Sequence, residues 1–508
     1  FFKPVLPAFL SQDVLTYSPL KFHEIEIVIS LKKEEWFSNI RTDVLAGLVV
    51  GLALIPESIA FSAIAGVDPQ VGLYASFCIA VSIAFFGGRP AMISAATGAM
   101  ALLMITLVKE HGLQYLLAAT ILTGIIQVIA GSFKVAKLMR FVSQSVVYGF
   151  LNALAILIFV AQIPEMQKMD VTGYLFVAIG LAIIYLFPYL PKIGKAIPSP
   201  LICIIVLSGL ALFLGSDMRT VSDLGHFPDT LPVFLIPEIP LNFETLQIIF
   251  PYSATLATVG LLETMMTTTV VDEVTDSESD RHQECRGQGM ANIVSGFMGG
   301  MAGCAMIGQS IINVSSGART RLSTLVAGVF LLCLVVFLKD WLAYIPMAAL
   351  VAIMIMVSFT TFQWGAIKQF NKHPLAFNVV MITVVLVVLV THNLALGVLI
   401  GVVLSALFFI NKLENTVHVY THLLDERSRR YVISGQIFFS SSDRFYQFFD
   451  FKENLAVVEL DLTHAHIWDV TSVNMFNNVV QKFKAQGIDV QVTGLNEASS
   501  TLVDRYQT

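Results

Sequence analysis

Charge is what this sequence has least of. Asp, Glu, Lys and Arg make up 13% of its 508 residues, about half the ~25% of a soluble globular domain. A net charge of -6 supplies no basic stripe, which sets nucleic acid aside as a partner. The five cysteines (Cys78, Cys203, Cys285, Cys304, Cys333) form no CxxC pair and keep no metal-ligand spacing with histidine, so neither a zinc site nor a disulfide framework is indicated. A Walker loop, a nucleotide fingerprint and a catalytic triad are also missing, which argues against an ATP-driven pump or an enzyme and implies no bound cofactor. Residues 1–42 mix charges and aromatics around Lys32, Lys33, Glu34, Glu35 and Trp36, and read as a cytosolic N-terminal arm rather than a signal peptide.

What fills the space is apolar. Hydrophobic residues are 56% of the chain and the mean hydropathy is +0.76. Runs of about 20 residues, enough to cross a bilayer, recur from Asp43 to Asn411. Eleven are strong: 43–66, 70–87, 115–133, 141–163, 171–188, 198–214, 248–271, 322–338, 346–360, 373–391 and 394–411. Three more, 91–108, 287–301 and 304–318, are weaker and glycine-rich. If all fourteen cross, both termini share one side, and the short loops on that side carry twelve Lys/Arg against four on the other. The positive-inside rule then makes the termini cytoplasmic in an inner (plasma) membrane of bacterial type. The organisation expected is a first transmembrane repeat at 43–214, an extracellular connection at 215–247 and a second repeat at 248–412. A cytosolic domain follows at 416–508.

The two halves carry similar features in similar places. Each opens with a helix bearing a carboxylate, Glu57 in LALIPESIAF and Glu263 in GLLETMMTTT. Each later holds a short segment of small residues, ISAATGAMA at 93–101 and GGMAGCAMIGQS at 299–310. Paired interruptions of this kind point to a mid-membrane binding site in a transporter built from inverted repeats. A helix that begins inside the membrane aims free N–H groups and a partial positive charge at whatever lies before it, so two such starts suit an anion. Close helix packing is the competing use of the same small residues.

Glu263 stands between Leu262 and Thr264 in an apolar helix. An isolated carboxylate there costs at least ~2.5 kcal/mol on insertion scales, and such groups normally face a cavity. It can exchange a proton, and with the Thr267 hydroxyl one turn on it equally suits a small hard cation such as Na+. A purely structural hydrogen bond to a neighbouring helix is the alternative. Thr264, Thr268 and Thr269 read as packing hydroxyls, Asp272 as a solvated helix end, and Arg319 and Arg321 as cytosolic anchors.

The run IRTDVLAGLVVGLALIPESIAFSAIAGVDPQVGLYASF with FFGGRPAMISAATGAMALL resembles the opening of the sulfate permease (SulP) family of anion transporters. GQGMANIVSGFMGGMAGCAMIGQSIINVSSGARTRLS is similar to that family's second-half signature. The resemblance implies fourteen transmembrane segments as 7+7 inverted repeats, divided into core and gate domains and often dimeric. It places the anion between the starts of the third and tenth segments: Ser94, Ala95, Ala96 and Thr97, and Cys304, Ala305, Met306 and Ile307. It links the position of Glu263, with Thr267, to cation coupling, and Glu57 is a further candidate. Two departures matter. Glu57 stands where many members have glutamine, and Gln309 near where many have an arginine beside the pocket. Without that fixed positive charge a co-transported cation would help hold the anion. Glu57 could otherwise bond Ser58 or a backbone group.

After Asn411, strand and helix patterns alternate as in a small α/β domain. ELDLTHAHIWDVTSVNMF resembles the STAS signature, with Asp461, Thr463, Asp469 and Thr471 at its acidic and hydroxyl positions. In regulatory STAS proteins the position of Thr471 can be a phosphorylated serine, but Val470 departs from the usual small polar neighbour, and a helix N-cap is the simpler role expected. The function expected is Na+- or H+-coupled symport of bicarbonate or sulfate by a homodimer. The alternatives are an anion exchanger or facilitator, a dicarboxylate or nucleobase permease of the same architecture, and a membrane anion sensor signalling through the STAS domain.

Overall fold

The computed structural model describes residues 32–190, 197–214, 218–225, 230–240 and 242–506. Residues 1–31 of the expected N-terminal arm and parts of the 215–247 connection lie outside them. In chain order the first half holds α1 (Ile40–Ala65), α2 (Pro69–Phe86), β1 (Ser94–Ala96), α3 (Gly98–His111), α4 (Leu113–Ser132), α5 (Gln144–Val160), α6 (Val171–Leu186) and α7 (Ser199–Leu214). The second half holds α8 (Phe243–Thr275), α9 (Arg281–Phe297), β2 (Gly303–Ala305), α10 (Ile307–Ser315), α11 (Arg321–Ala343), α12 (Met347–Thr361), α13 (Leu375–Thr391) and α14 (Leu394–Glu414). The tail holds β3 (His418–Asp425), β4 (Ser428–Ile437), α15 (Ser442–Gln447), β5 (Val457–Ile467), α16 (Val470–Lys484), β6 (Asp489–Thr493) and α17 (Glu497–Tyr506).

Among the described residues, eight helical spans are long and apolar enough to cross a membrane, and α7, α12 and α13 are shorter apolar helices. The other three segments are β1–α3, α9 and β2–α10, the same glycine-rich stretches that read as weak from hydropathy. Each half therefore repeats one order: two helices, a strand that turns into a half-helix, then four more helices.

The chain forms two compact units. One runs to Met139 and resumes over Ile156–Thr360, and the other joins Arg140–Ala155 to Thr361–Thr508. In the first, β1 and β2 pair antiparallel: Ser94 opposite Ala305, Ala95 opposite Cys304, Ala96 opposite Gly303. The two-fold relation within this ribbon is the local image of an inverted repeat. Close backbone approach holds the surroundings, since a Cβ on Gly124 of α4 or Gly289 of α9 would strike the other's carbonyl oxygen. Small residues of this kind are how helices pack where lipid is as apolar as leucine. A Cβ on Gly303 would likewise overlap the Ala95 carbonyl oxygen across the ribbon, whereas one on Gly308 would meet nothing within 4 Å.

In the second unit four strands are ordered β3-β4-β5-β6, with β3/β4 antiparallel and the other two pairs parallel. Its core gathers Tyr431, Phe445 and Phe483, all fully buried. The α16 start differs from expectation. Asp469 is the N-cap and accepts from the Ser472 amide at 2.9 Å, so Thr471 lies inside the first turn, exposed, and is not the cap. Asp461 lies mid-strand in β5 rather than at its end. The Thr463 hydroxyl and amide donate to it, Arg430 sits at 2.8 Å, and together they hold its carboxyl below the usual carboxylate range.

Two variants test these contacts. Gly303→Ala should lower the thermal midpoint in detergent, with a cost of about 1–3 kcal/mol from overpacking, while Gly308→Ala should leave it unchanged or raise it. Equal midpoints would contradict the ribbon geometry. A carboxyl held low adds stability that is present above its unfolded value of about 3.9 and is lost as pH falls through the lower folded value. Asp461→Asn should therefore destabilise the α/β domain by about 1–2 kcal/mol at neutral pH. Its deficit should shrink as the pH falls below about 3.9 and through the lower folded value, as read by circular dichroism melts of the full-length protein.

Candidate functional site

Neither half-helix carries an ordinary cap. The α3 N-cap is Thr97 and the α10 N-cap is Met306, and neither side chain bonds the amides that follow. The N-cap side chains thus leave the first-turn N–H groups without a capping bond, one helix starting at each end of the ribbon. The ribbon continues one step beyond its strands, with the Met306 amide donating to the Ile93 carbonyl at 2.9 Å and the Ile93 amide to Ser310 Oγ at 3.0 Å. Ser94 Oγ is buried with no partner among the described residues. The open space before Gly308 lies on the first turn of α10.

Three side chains of α8 reach β2. The Cys304 thiol donates to Glu263 Oε2 at 2.9 Å and lies 3.1 Å from Thr97 Oγ1. Thr264 Oγ1 accepts from the Ala305 amide at 3.3 Å. Thr267 Oγ1 donates to the Glu263 carbonyl at 2.8 Å and lies 3.3 Å from the Ala305 carbonyl. The Glu263 carboxylate, the Thr267 hydroxyl and the Ala305 carbonyl are oxygen donors of the kind a small hard cation takes, and the last two lie 3.3 Å apart. Glu57 on α1 accepts from Gln309 Nε2 at 2.7 Å. Ser58 does not serve Glu57: its hydroxyl is committed to the Leu54 carbonyl at 2.7 Å and to Ser76 Oγ at 2.6 Å.

Every residue expected at the pocket therefore comes to one place in the first unit. Ser94, Ala95 and Ala96 form β1, Thr97 opens α3, Cys304 and Ala305 lie in β2, and Met306 and Ile307 open α10. Glu263, Thr267 and Glu57 surround them. Thr471 lies in the other unit.

A second set of residues escaped sequence reading. Asn292 clamps Gly303 from both sides, accepting from its amide at 2.9 Å and donating to its carbonyl at 3.1 Å. Gln288 donates to the same carbonyl at 3.0 Å, and Gln127 Oε1 accepts from Asn292 at 2.8 Å. Thr264, expected only to pack, anchors β2. The available signal was carboxamides inside apolar helices, which must find partners when buried.

The arginines are engaged elsewhere. Arg89 caps the C-terminal end of α8 through the Val271 carbonyl at 3.2 Å and Asp272 at 3.3 Å, so Asp272 is a paired group rather than a solvated end. Arg321 is buried and bonds Glu35 and the Gly87 carbonyl, both at 2.7 Å, and Arg319 bonds the Val314 and Ala318 carbonyls. They brace helix ends. Glu284 accepts from the Gly88 and Arg89 amides at 2.7 and 2.9 Å and fixes the turn that leads into β1. Around the ribbon, the partners among the described residues are amides, hydroxyls, carboxamides, a thiol and carboxylates.

The profile of the sulfate permease family matches residues 40–179 and 165–385, and that of the STAS domain residues 425–508. The chain is 54% identical over 471 residues to the putative sulfate transporter YbaR of Bacillus subtilis, covering 93% of this chain and 98% of that one. It is 27% identical over 416 residues to the bicarbonate transporter BicA of Picosynechococcus, covering 75% and 72%. Among solved structures, the murine solute carrier 26 family member A9 anion transporter in the inward-facing state gives a TM-score of 0.78 at 16% identity, over 94% of this chain and 89% of that one. The transmembrane domain of a cyanobacterial BicA gives 0.64 at 21% identity, over 75% and 100%. At such identities the structural likeness speaks to the fold: a multi-pass helical transporter architecture, followed here by a STAS domain. With matched profiles over most of its length and a relative identical at more than half of the aligned positions, the chain belongs to the sulfate permease family of anion transporters.

Proposed function

We propose that the protein is a cation-coupled symporter that imports a small inorganic oxyanion, sulfate or bicarbonate. The anion sits between the first turns of α3 and α10, and Na+ or H+ travels at Glu263. The observation that carries this reading is the β1/β2 ribbon, which sets two uncapped helix starts around one point and ties that point to a buried carboxylate. Each helix start offers N–H donors and a partial positive charge worth about 0.3–1 kcal/mol to an anion, and up to ~2 kcal/mol where partly buried.

Those dipoles alone compete with water for a charged substrate. Gln309, spent on Glu57, adds no formal charge, so a co-transported cation supplies the missing positive charge and the two ions stabilise each other across a few ångströms of low-dielectric space. Na+ would be held by the Glu263 carboxylate, the Thr267 hydroxyl and the Ala305 carbonyl; a proton would need the carboxylate alone. The names of the relatives, a putative sulfate transporter and a bicarbonate transporter, bring both anions to this chain. The cytoplasm holds both termini and the STAS domain in this reading, by the Lys/Arg asymmetry of the loops, and the protein works as a homodimer.

Uptake of radiolabelled sulfate and bicarbonate into proteoliposomes under imposed Na+ or H+ gradients tests the proposal. Gradient-driven accumulation of one anion should fall by about two orders of magnitude or more in Glu263→Gln, a loss of ~2.7 kcal/mol or more of coupling. Uptake unchanged in that variant would leave a facilitator or exchanger with a structural carboxylate.

A further inference from the structure

A threonine at a helix N-cap ordinarily accepts a hydrogen bond from the amide two or three residues on. Thr97 does not, and its hydroxyl lies against the Cys304 sulfur at 3.1 Å. That thiol in turn lies 2.9 Å from Glu263 Oε2. A thiol has one proton. Spent on the carboxylate, it leaves the sulfur as acceptor, so Thr97 is the donor in the first bond. The chain of bonds thus has a direction: Thr97 O–H to sulfur, S–H to carboxylate. All three residues are buried, at 3%, 0% and 9% exposure, in surroundings where such bonds strengthen one another.

We propose that Cys304 is a positioning residue that makes anion affinity depend on cation occupancy, through this three-member chain between the α3 cap and Glu263. The inference rests on the reading of Glu263 as the cation site. With the carboxylate empty, the Thr97 proton is drawn to sulfur, and the hydroxyl shows the pocket its lone pairs, which repel an anion. When a cation takes the carboxylate, the thiol loses its acceptor and turns its proton to Thr97 Oγ1. The Thr97 hydroxyl is then released to donate to the anion beside the α3 amides. No bond is made or broken; two rotors turn. Linkage requires the reciprocal effect, so a bound anion tightens the cation by the same factor.

The test is the KM for radiolabelled sulfate and bicarbonate in proteoliposomes of the full-length protein, each measured without cation and with saturating Na+ or an inward proton gradient. The wild-type KM should fall by about fivefold or more with the cation, and in Cys304→Ala the ratio should shrink to within about twofold. Cys304→Ser, whose hydroxyl can accept and donate in the same two directions, should restore it; loss of packing alone would not separate these variants in that ratio. If Cys304→Ala does not fold, Thr97→Val cuts the chain at its other end and should show the same loss. A wild-type ratio retained in Cys304→Ala, or lost equally in Cys304→Ser, overturns the relay and leaves the coupling reading standing. A wild-type KM indifferent to both cations removes the coupling reading and the relay with it.

Discussion

A backbone that stops being helical inside a membrane must find partners for every exposed N–H and C=O, because lipid offers none and each unsatisfied group costs several kcal/mol. The three-residue ribbon between β1 and β2 is how this chain meets that constraint twice at once. Each strand satisfies the other, Asn292 and Gln288 take the Gly303 carbonyl, Thr264 takes the Ala305 amide, and Ser310 takes the Ile93 amide. The N-cap side chains of both half-helices leave the first-turn amides without a capping bond, and in the proposed reading those amides receive the anion.

The same economy explains where the charges went. Family resemblance leads one to look for a positive side chain beside the pocket, yet Arg89, Arg319 and Arg321 close helix ends with carbonyls and carboxylates. The positive field at the ribbon comes from helix starts, and the negative charge from Glu263 and Glu57, one reaching the ribbon through a thiol and the other paired to a carboxamide on α10. In the proposed symport an anion meets dipoles fixed in direction and carboxylates that a cation can mask, so the two ions of opposite sign bind more readily together than either alone.

Much of this was legible in the residues. Hydropathy located the strong spans, and the weakness of the segments around ISAATGAMA and GGMAGCAMIGQS located the interruptions. The isolated carboxylates were conspicuous because apolar helices leave charge nowhere to hide. Partnerships were not legible. That Asn292 would grip Gly303, that Gln127 would orient Asn292, and that Glu57 would choose Gln309 over its neighbour Ser58 depend on helix rotation and on strands too short to show a period. Asp272 misread and Glu284 went unread for a related reason: a charge near the end of a span looks solvated in sequence, and only the fold brings Arg89 onto the one and the Gly88 and Arg89 amides onto the other. In the STAS domain, local rules favoured a threonine cap, and the aspartate two residues earlier took the position.

In the proposed site the anion lies on the first-turn amides of α3 and α10. Selenate, a tetrahedral oxyanion of sulfate shape, carries an anomalous scatterer and can be located in diffraction data collected at the selenium edge from crystals of the full-length protein. One anomalous peak is expected within hydrogen-bonding reach of the Ala99 and Gly308 amides, weakened in Gly308→Ala crystals. A peak instead among Arg89, Arg319 and Arg321, with nothing at the ribbon, would contradict it.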